Sequence, residues 1–191
     1  MKALIILEDH TLDRYIAKPV VERIFRDLRR PAQVDVLSNP RVRGVAQALN
    51  ARVVDEVVRL NPMVDVFLIL IDRDCDEQRE SGPLAARLRA VAARGRTIFG
   101  CLAIEEIEVW ALALHRREIG GQWDDIRREC NPKEAYFEPF VERMGWEKSV
   151  GRGRQTAMDA LRRQWRALKA RCPEIQQLQD QIQEWLDSEV G

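Results

Sequence analysis

The stretch "LILIDRDCDEQRE", residues 68–80, runs an apolar segment directly into three acids on alternate positions, Asp72, Asp74 and Asp76. Extended back to residue 64 it begins "VDVFLILI", apolar on consecutive residues, as in a strand covered on both faces. Strands of that kind belong to parallel sheets, and three more runs suit one: "KALIIL" (2–7), the weaker "AQVDVL" (32–37) and "TIFGCLAI" (97–104). Helical spacing separates them. Residues 12–28 place Ile16, Val20, Ile24 and Leu28 on one face, with Pro19 marking a kink or the true start. Residues 45–60, "VAQALNARVVDEVVRL", form the next helix, and Asn61 and Pro62 end it. "GPLAARLRAVAARG" (82–95) has proline near its start and glycine at its end, and "EEIEVWALALHRR" (105–117) turns helical directly after the fourth strand. Four strand–helix alternations predict an α/β fold, an open and mainly parallel four-stranded sheet flanked by helices over residues 1–120.

Beyond Gly120 and Gly121 the pattern changes. Residues 121–191 read as a helical C-terminal extension packed on the sheet domain, and they hold Trp123, Trp146, Trp165 and Trp185. Within it, residues 155–170 bury Met158, Leu161, Trp165 and Leu168, and residues 174–187 close the chain with Ile175, Leu178, Ile182 and Trp185 on one stripe.

The 191 residues suffice for a core without disulfides, and Cys75, Cys101, Cys130 and Cys172 lack any CxxC pair, so reduced thiols are expected. The opening "MKALIILEDH" is too short in apolar residues for a secretory leader, and no run approaches a membrane span; a soluble cytoplasmic chain is expected. With 31 basic and 31 acidic residues the net charge is zero, which announces no polyanionic partner. The charge is unevenly placed, however. From Lys148 to Arg171 eight basic residues face the single acid Asp159, a local charge of +7 that suits phosphates.

In parallel α/β sheets ligands sit beyond the carboxyl ends of the strands. Glu8 ends the first strand, Asp72 and Asp74 the third, and Glu105, Glu106 and Glu108 the fourth, so all three groups open on one edge. In an extended segment Asp72 and Asp74 face the same side, where their charges would repel by several kcal/mol. A hard divalent cation removes that conflict, and Mg²⁺, or Mn²⁺, is the expected occupant. Asp76 and Glu77 read instead as turn or cap residues, and Glu105 as a first-turn acid favoured by the helix dipole. Trp110 reads as core. His10, two residues after Glu8, is a loop histidine first and a ligand second; His115 is assigned no chemistry, and Cys75, between two acids, is no nucleophile.

These residues resemble a family. A strand ending in Glu and a later strand ending in Asp-x-Asp are similar to the Toprim fold of topoisomerases, primases and the nucleases of the overcoming-lysogenization-defect group. "AIEEIEVWALAL" (103–114) resembles the "A-x-P-E-I-E-A-W-L-L" segment of the Toprim-like DUF4276 group, with Glu106, Glu108 and Trp110 at matching places. "GRGRQTAMDALR" (151–162) and "ALKARCPEIQQL" (167–178) resemble that group's C-terminal pattern. The chain departs from it where "V-E-G-x-T-[DE]" stands as "LEDHTLD": Asp9 replaces the glycine and the acid is displaced to Asp13, while Glu105 replaces the strand-four proline.

The resemblance implies a metal-dependent nuclease acting on DNA or RNA, in an antiphage or mobile-element setting. Asp72 and Asp74 would hold the cation, Glu8 would serve as general acid/base or share a second metal, and Glu108 would complete the ligands. Asp13, Asp76, Glu106 and His10 are lesser candidates. Arg152 and Arg154 would meet phosphate oxygens from a loop whose glycines permit close backbone approach, with Arg162 and Arg166 on the following helix face. Two other readings compete. A haloacid-dehalogenase-like phosphatase also ends a strand in Asp-x-Asp, but here two strand–helix units precede the motif and Asp76 stands where its threonine belongs. A non-catalytic Toprim-like scaffold would bind nucleic acid or a partner ATPase without cutting.

Overall fold

The computed structural model describes residues 1–189. Four strands form one all-parallel sheet in the order β2-β1-β3-β4: β1 (Lys2–Leu7), β2 (Gln33–Val36), β3 (Val66–Asp72) and β4 (Thr97–Ala103). β1, β3 and β4 are apolar on consecutive residues because each face is covered, while the edge strand β2 buries only Val34. Ile5, Leu7, Leu68, Leu70 and Cys101 point to one layer, and Leu4, Ile6, Phe67, Ile69 and Leu102 to the other. The second face packs on α2 (Val45–Ala48), α3 (Ala51–Leu60) and α4 (Ala85–Ala92). The first packs on α1 (Arg14–Asp27), α5 (Glu108–Leu114) and the C-terminal helices. Among the described residues no helix is long and apolar enough to cross a membrane.

Several helices break where the periodicity alone runs on. The helix expected over 45–60 divides at Leu49, because the Asn50 side chain accepts from the N–H groups of Arg52 and Val53 and caps α3. Pro19 lies inside α1 and does not start it. The segment 82–95 opens with a π-helical turn, Glu80–Leu84, and α4 follows. The helix expected from residue 105 begins only at Glu108. Glu105 is therefore no first-turn acid: it is buried ahead of the helix, where it accepts from Arg73 and from the Cys75 N–H at 2.6 Å.

The C-terminal part is helical, with α6 (Arg116–Ile119), α7 (Trp123–Arg128), α8 (Glu138–Arg143), α9 (Arg154–Met158), α10 (Leu161–Arg171) and α11 (Pro173–Ser188). The helix expected over 155–170 is two, α9 and α10, yet Met158, Leu161, Trp165 and Leu168 are all buried. In α5 every residue is buried, since it lies between the sheet and this layer. Its Trp110 donates from Nε1 to Glu174, which also accepts from Arg127 at 2.9 and 3.0 Å. That network ties α11 and α7 to α5. The cysteines depart from the expected reduced state: Cys75 and Cys130 form a disulfide, while Cys101 and Cys172 are free and buried.

Candidate active site

Strand order 2-1-3-4 reverses direction between β1 and β3, and the crevice at the carboxyl ends of those two strands is where such sheets bind ligands. Glu8 and Asp72 leave the sheet at that point. Glu8 accepts from the Asp72 N–H at 2.6 Å, and Asp72 accepts from the Ile107 N–H at 2.8 Å, so each carboxylate is aimed by a neighbouring chain end. Asp13 at the head of α1 and Glu108 at the head of α5 add two buried carboxyls. All four line a cleft of about 520 Å³ roofed by α8 and the segment before α9.

The electrostatics follow from packing acids together away from water. Burial, followed by the charges of Glu8, Glu108, Asp13 and Asp74, drives the Asp72 carboxyl well above the usual carboxylate range. Burial is likewise the main reason that the Glu8 carboxyl is raised. In Asp13 burial acts first and Glu108, Asp9 and Glu8 add to it, so its carboxyl is pushed up to about 8 although Arg154 opposes the shift. Glu106, also on the cleft wall, is raised by burial while its carboxylate accepts from the Lys133 N–H at 2.7 Å. Glu138, Glu142 and Glu147 reach the rim, against only three cations, Lys133, Arg152 and Arg154. The lining is strongly acidic.

Glu8, Asp72 and Glu108, expected as ligands, thus share one cleft, together with the lesser candidates Asp13 and Glu106. Asp74 does not join them. It takes a left-handed φ of +46° and its carboxylate pairs with Arg79 at 2.7 Å, outside the cleft. Asp76 is an exposed turn residue that accepts from the Gln78 N–H and faces Arg79. His10 sits half-buried in the loop after β1, and its Nδ1 has no partner. His115 bonds the Ala157 carbonyl between Phe140 and Trp146.

The basic segment divides in the same way. Arg152 is exposed on the cleft rim, whereas Arg154 is buried and bonds Glu108 through Nε and Nη2. Arg162 and Arg166 are exposed on α10 and do not line the cleft. The glycines of "GRGR" serve packing rather than open access. A side chain at Gly151 would meet the Tyr15 ring at 2.4 Å, and one at Gly153 would meet Val141 at 2.6 Å. The loop after β1, which lacks the family's glycine, closes by hydrogen bonds from Thr11 to the Asp9 carboxylate and from the Asp9 N–H to Asp13. Arg79 and Lys133, which carry no sequence signal, and Glu105, read from the sequence as a first-turn acid, also shape the site. Arg79 holds both the Asp72 carbonyl and Asp74, and Glu105 and Lys133 tie the surrounding loops.

The donor set of Glu8, Asp13, Asp72 and Glu108 is all carboxyl oxygen, the ligand type that a hard divalent metal takes. The side chains as they stand do not close a cage: among the described residues no group of three or more His, Cys, Asp or Glu side chains is placed to hold a metal ion. Glu8 and Asp72 spend one oxygen each on backbone N–H groups, Glu108 on Arg154, and Asp74 on Arg79. Compared with protein-family models, curated proteins and solved structures, the chain matches none.

Proposed function

We propose that this chain is a divalent-metal-dependent nuclease of the Toprim type, hydrolysing phosphodiester bonds of DNA or RNA with Mg²⁺ or Mn²⁺ at Glu8, Asp72 and Glu108. The observation that carries the reading is the gathering of Glu8, Asp13, Asp72 and Glu108 from four separate elements into one cleft at the switch point of the sheet. When bound, the metal supplies charge stabilisation on a phosphoryl oxygen. The chain's own groups account for the rest. Glu8 is placed to take the proton of the attacking water, and Asp13, buried beside it, to give one to the departing oxygen. Arg152 on the rim meets a non-bridging oxygen. Because carboxylates outnumber cations in the lining, a polyanion is repelled until cations enter, so metal precedes substrate.

One observation favours a competing reading. Arg154 occupies Glu108 and the carboxylates form no cage, as in a Toprim-like scaffold that binds without cutting. Cleavage of labelled single- and double-stranded DNA and RNA separates the two. We expect cutting that requires Mg²⁺ or Mn²⁺ and falls at least a hundredfold in Asp72→Ala, which removes charge stabilisation. Folded wild type that cuts none of these substrates would leave the scaffold reading, and release of phosphate from a monoester alone would point to a phosphatase.

A further inference from the structure

Resting on the metal reading above, we propose that the Cys75–Cys130 disulfide is a redox latch that holds Asp74 out of the acidic cleft, so that reduction of the bond completes the ligand set. The bond joins two exposed loops: Cys75 follows Asp74 at the end of β3, and Cys130 precedes the turn that leads to Lys133. It therefore couples the metal-binding loop of the sheet to the helical layer that walls the cleft.

The loop it closes adopts an unusual backbone. Asp74 and Cys75 both have left-handed φ, +46° and +54°, a conformation that residues with a Cβ keep only when their surroundings enforce it. The enforcing contacts are the disulfide, the Cys75 N–H on the Glu105 carboxylate, and the Arg73 and Asp74 N–H groups on the Glu105 carbonyl. In this turn Asp74 faces Arg79. Were residues 72–74 extended, alternate side chains would share a side and Asp74 would stand beside Asp72. The disulfide is the one covalent restraint among those contacts, and its exposure leaves it open to small thiols.

Opening the latch is thiol–disulfide exchange. One thiolate of a small dithiol attacks one cystine sulfur and breaks the Sγ–Sγ bond, and the other cysteine leaves as a thiolate and takes up a proton. The second thiol of the dithiol then displaces the first cysteine. Two electrons pass from the dithiol, which becomes a cyclic disulfide, to the pair Cys75 and Cys130. Closing runs in reverse with a small-molecule disulfide such as oxidised glutathione.

The test is Mn²⁺ affinity, read from the paramagnetic resonance of free Mn²⁺, for full-length protein with the bond oxidised and with it reduced, the state being set by thiol count. We expect reduction, or Cys130→Ser, to tighten binding about tenfold, as one added carboxylate ligand does, and Asp74→Asn to abolish that gain. Equal affinity in both states would overturn the latch, as would failure of Cys75 and Cys130 to pair under oxidised glutathione. If neither state binds Mn²⁺, the metal reading falls and amide hydrogen exchange over residues 73–79 decides the latch by itself. Faster exchange on reduction keeps the restraint, and unchanged exchange removes it.

Discussion

Asp13 is a carboxyl whose charge its place in the fold opposes. It stands at the start of α1 after the loop that follows Glu8, is buried, and is pushed up to about 8 by burial and by Glu108, Asp9 and Glu8. The folded chain therefore binds a proton that the unfolded chain, with an ordinary aspartate, gives up near pH 4. Stability without metal falls as pH rises from about 4 to 8, because in that window the native state holds more protons than the unfolded one. Metal-free protein should melt several degrees higher at pH 5.5 than at pH 8, a difference that shrinks in Asp13→Asn. Thermal unfolding followed by circular dichroism checks this; a flat profile would mean that the carboxyl is not held neutral. Glu8 and Asp72 were legible in the sequence because each directly follows or ends an apolar strand. The turn at Asp74 was not, since its left-handed backbone depends on Glu105, Arg79 and Cys130, far apart in sequence or outside any motif.

At the scale of elements, strands were easier to read than helix ends. The strand β3 is apolar throughout because both faces are covered, a property that consecutive side chains announce by themselves. Helix boundaries answer to single contacts: Asn50 caps α3, and Glu105 turns inward to hold Cys75 before α5 can begin. Likewise the glycines before α9 suggested an open phosphate loop, but Tyr15 and Val141 fill the space beside them. The docking of α11 combines a buried apolar stripe, Ile175, Leu178 and Ile182, with one buried carboxylate, Glu174, which accepts from Trp110 and both Arg127 terminal nitrogens. Replacing it by alanine strands the Arg127 charge and should cost about 3 kcal/mol. Urea unfolding would show this as a lower midpoint; an unchanged midpoint would mean that apolar contacts alone hold the helix.

For the whole molecule, strand order decides where chemistry belongs. The reversal between β1 and β3 opens one crevice, and the acids that the sequence placed at three strand ends meet there in part: Glu8, Asp72 and Glu108 inside, Asp74 on the outer side of its turn. The roof is built by α8 and the residues before α9, whose acids, Glu138, Glu142 and Glu147, no local pattern announced, while Arg152 was expected from the basic segment. A lining so rich in carboxylates relieves its repulsion either by holding protons or by taking up cations. The most direct measurement is the anomalous scattering of Mn²⁺ in crystals of the reduced protein. A peak between the carboxylates of Glu8 and Asp72, absent in Asp72→Asn crystals, is the predicted result. Mn²⁺ bound elsewhere, or nowhere at millimolar concentration, would contradict the account.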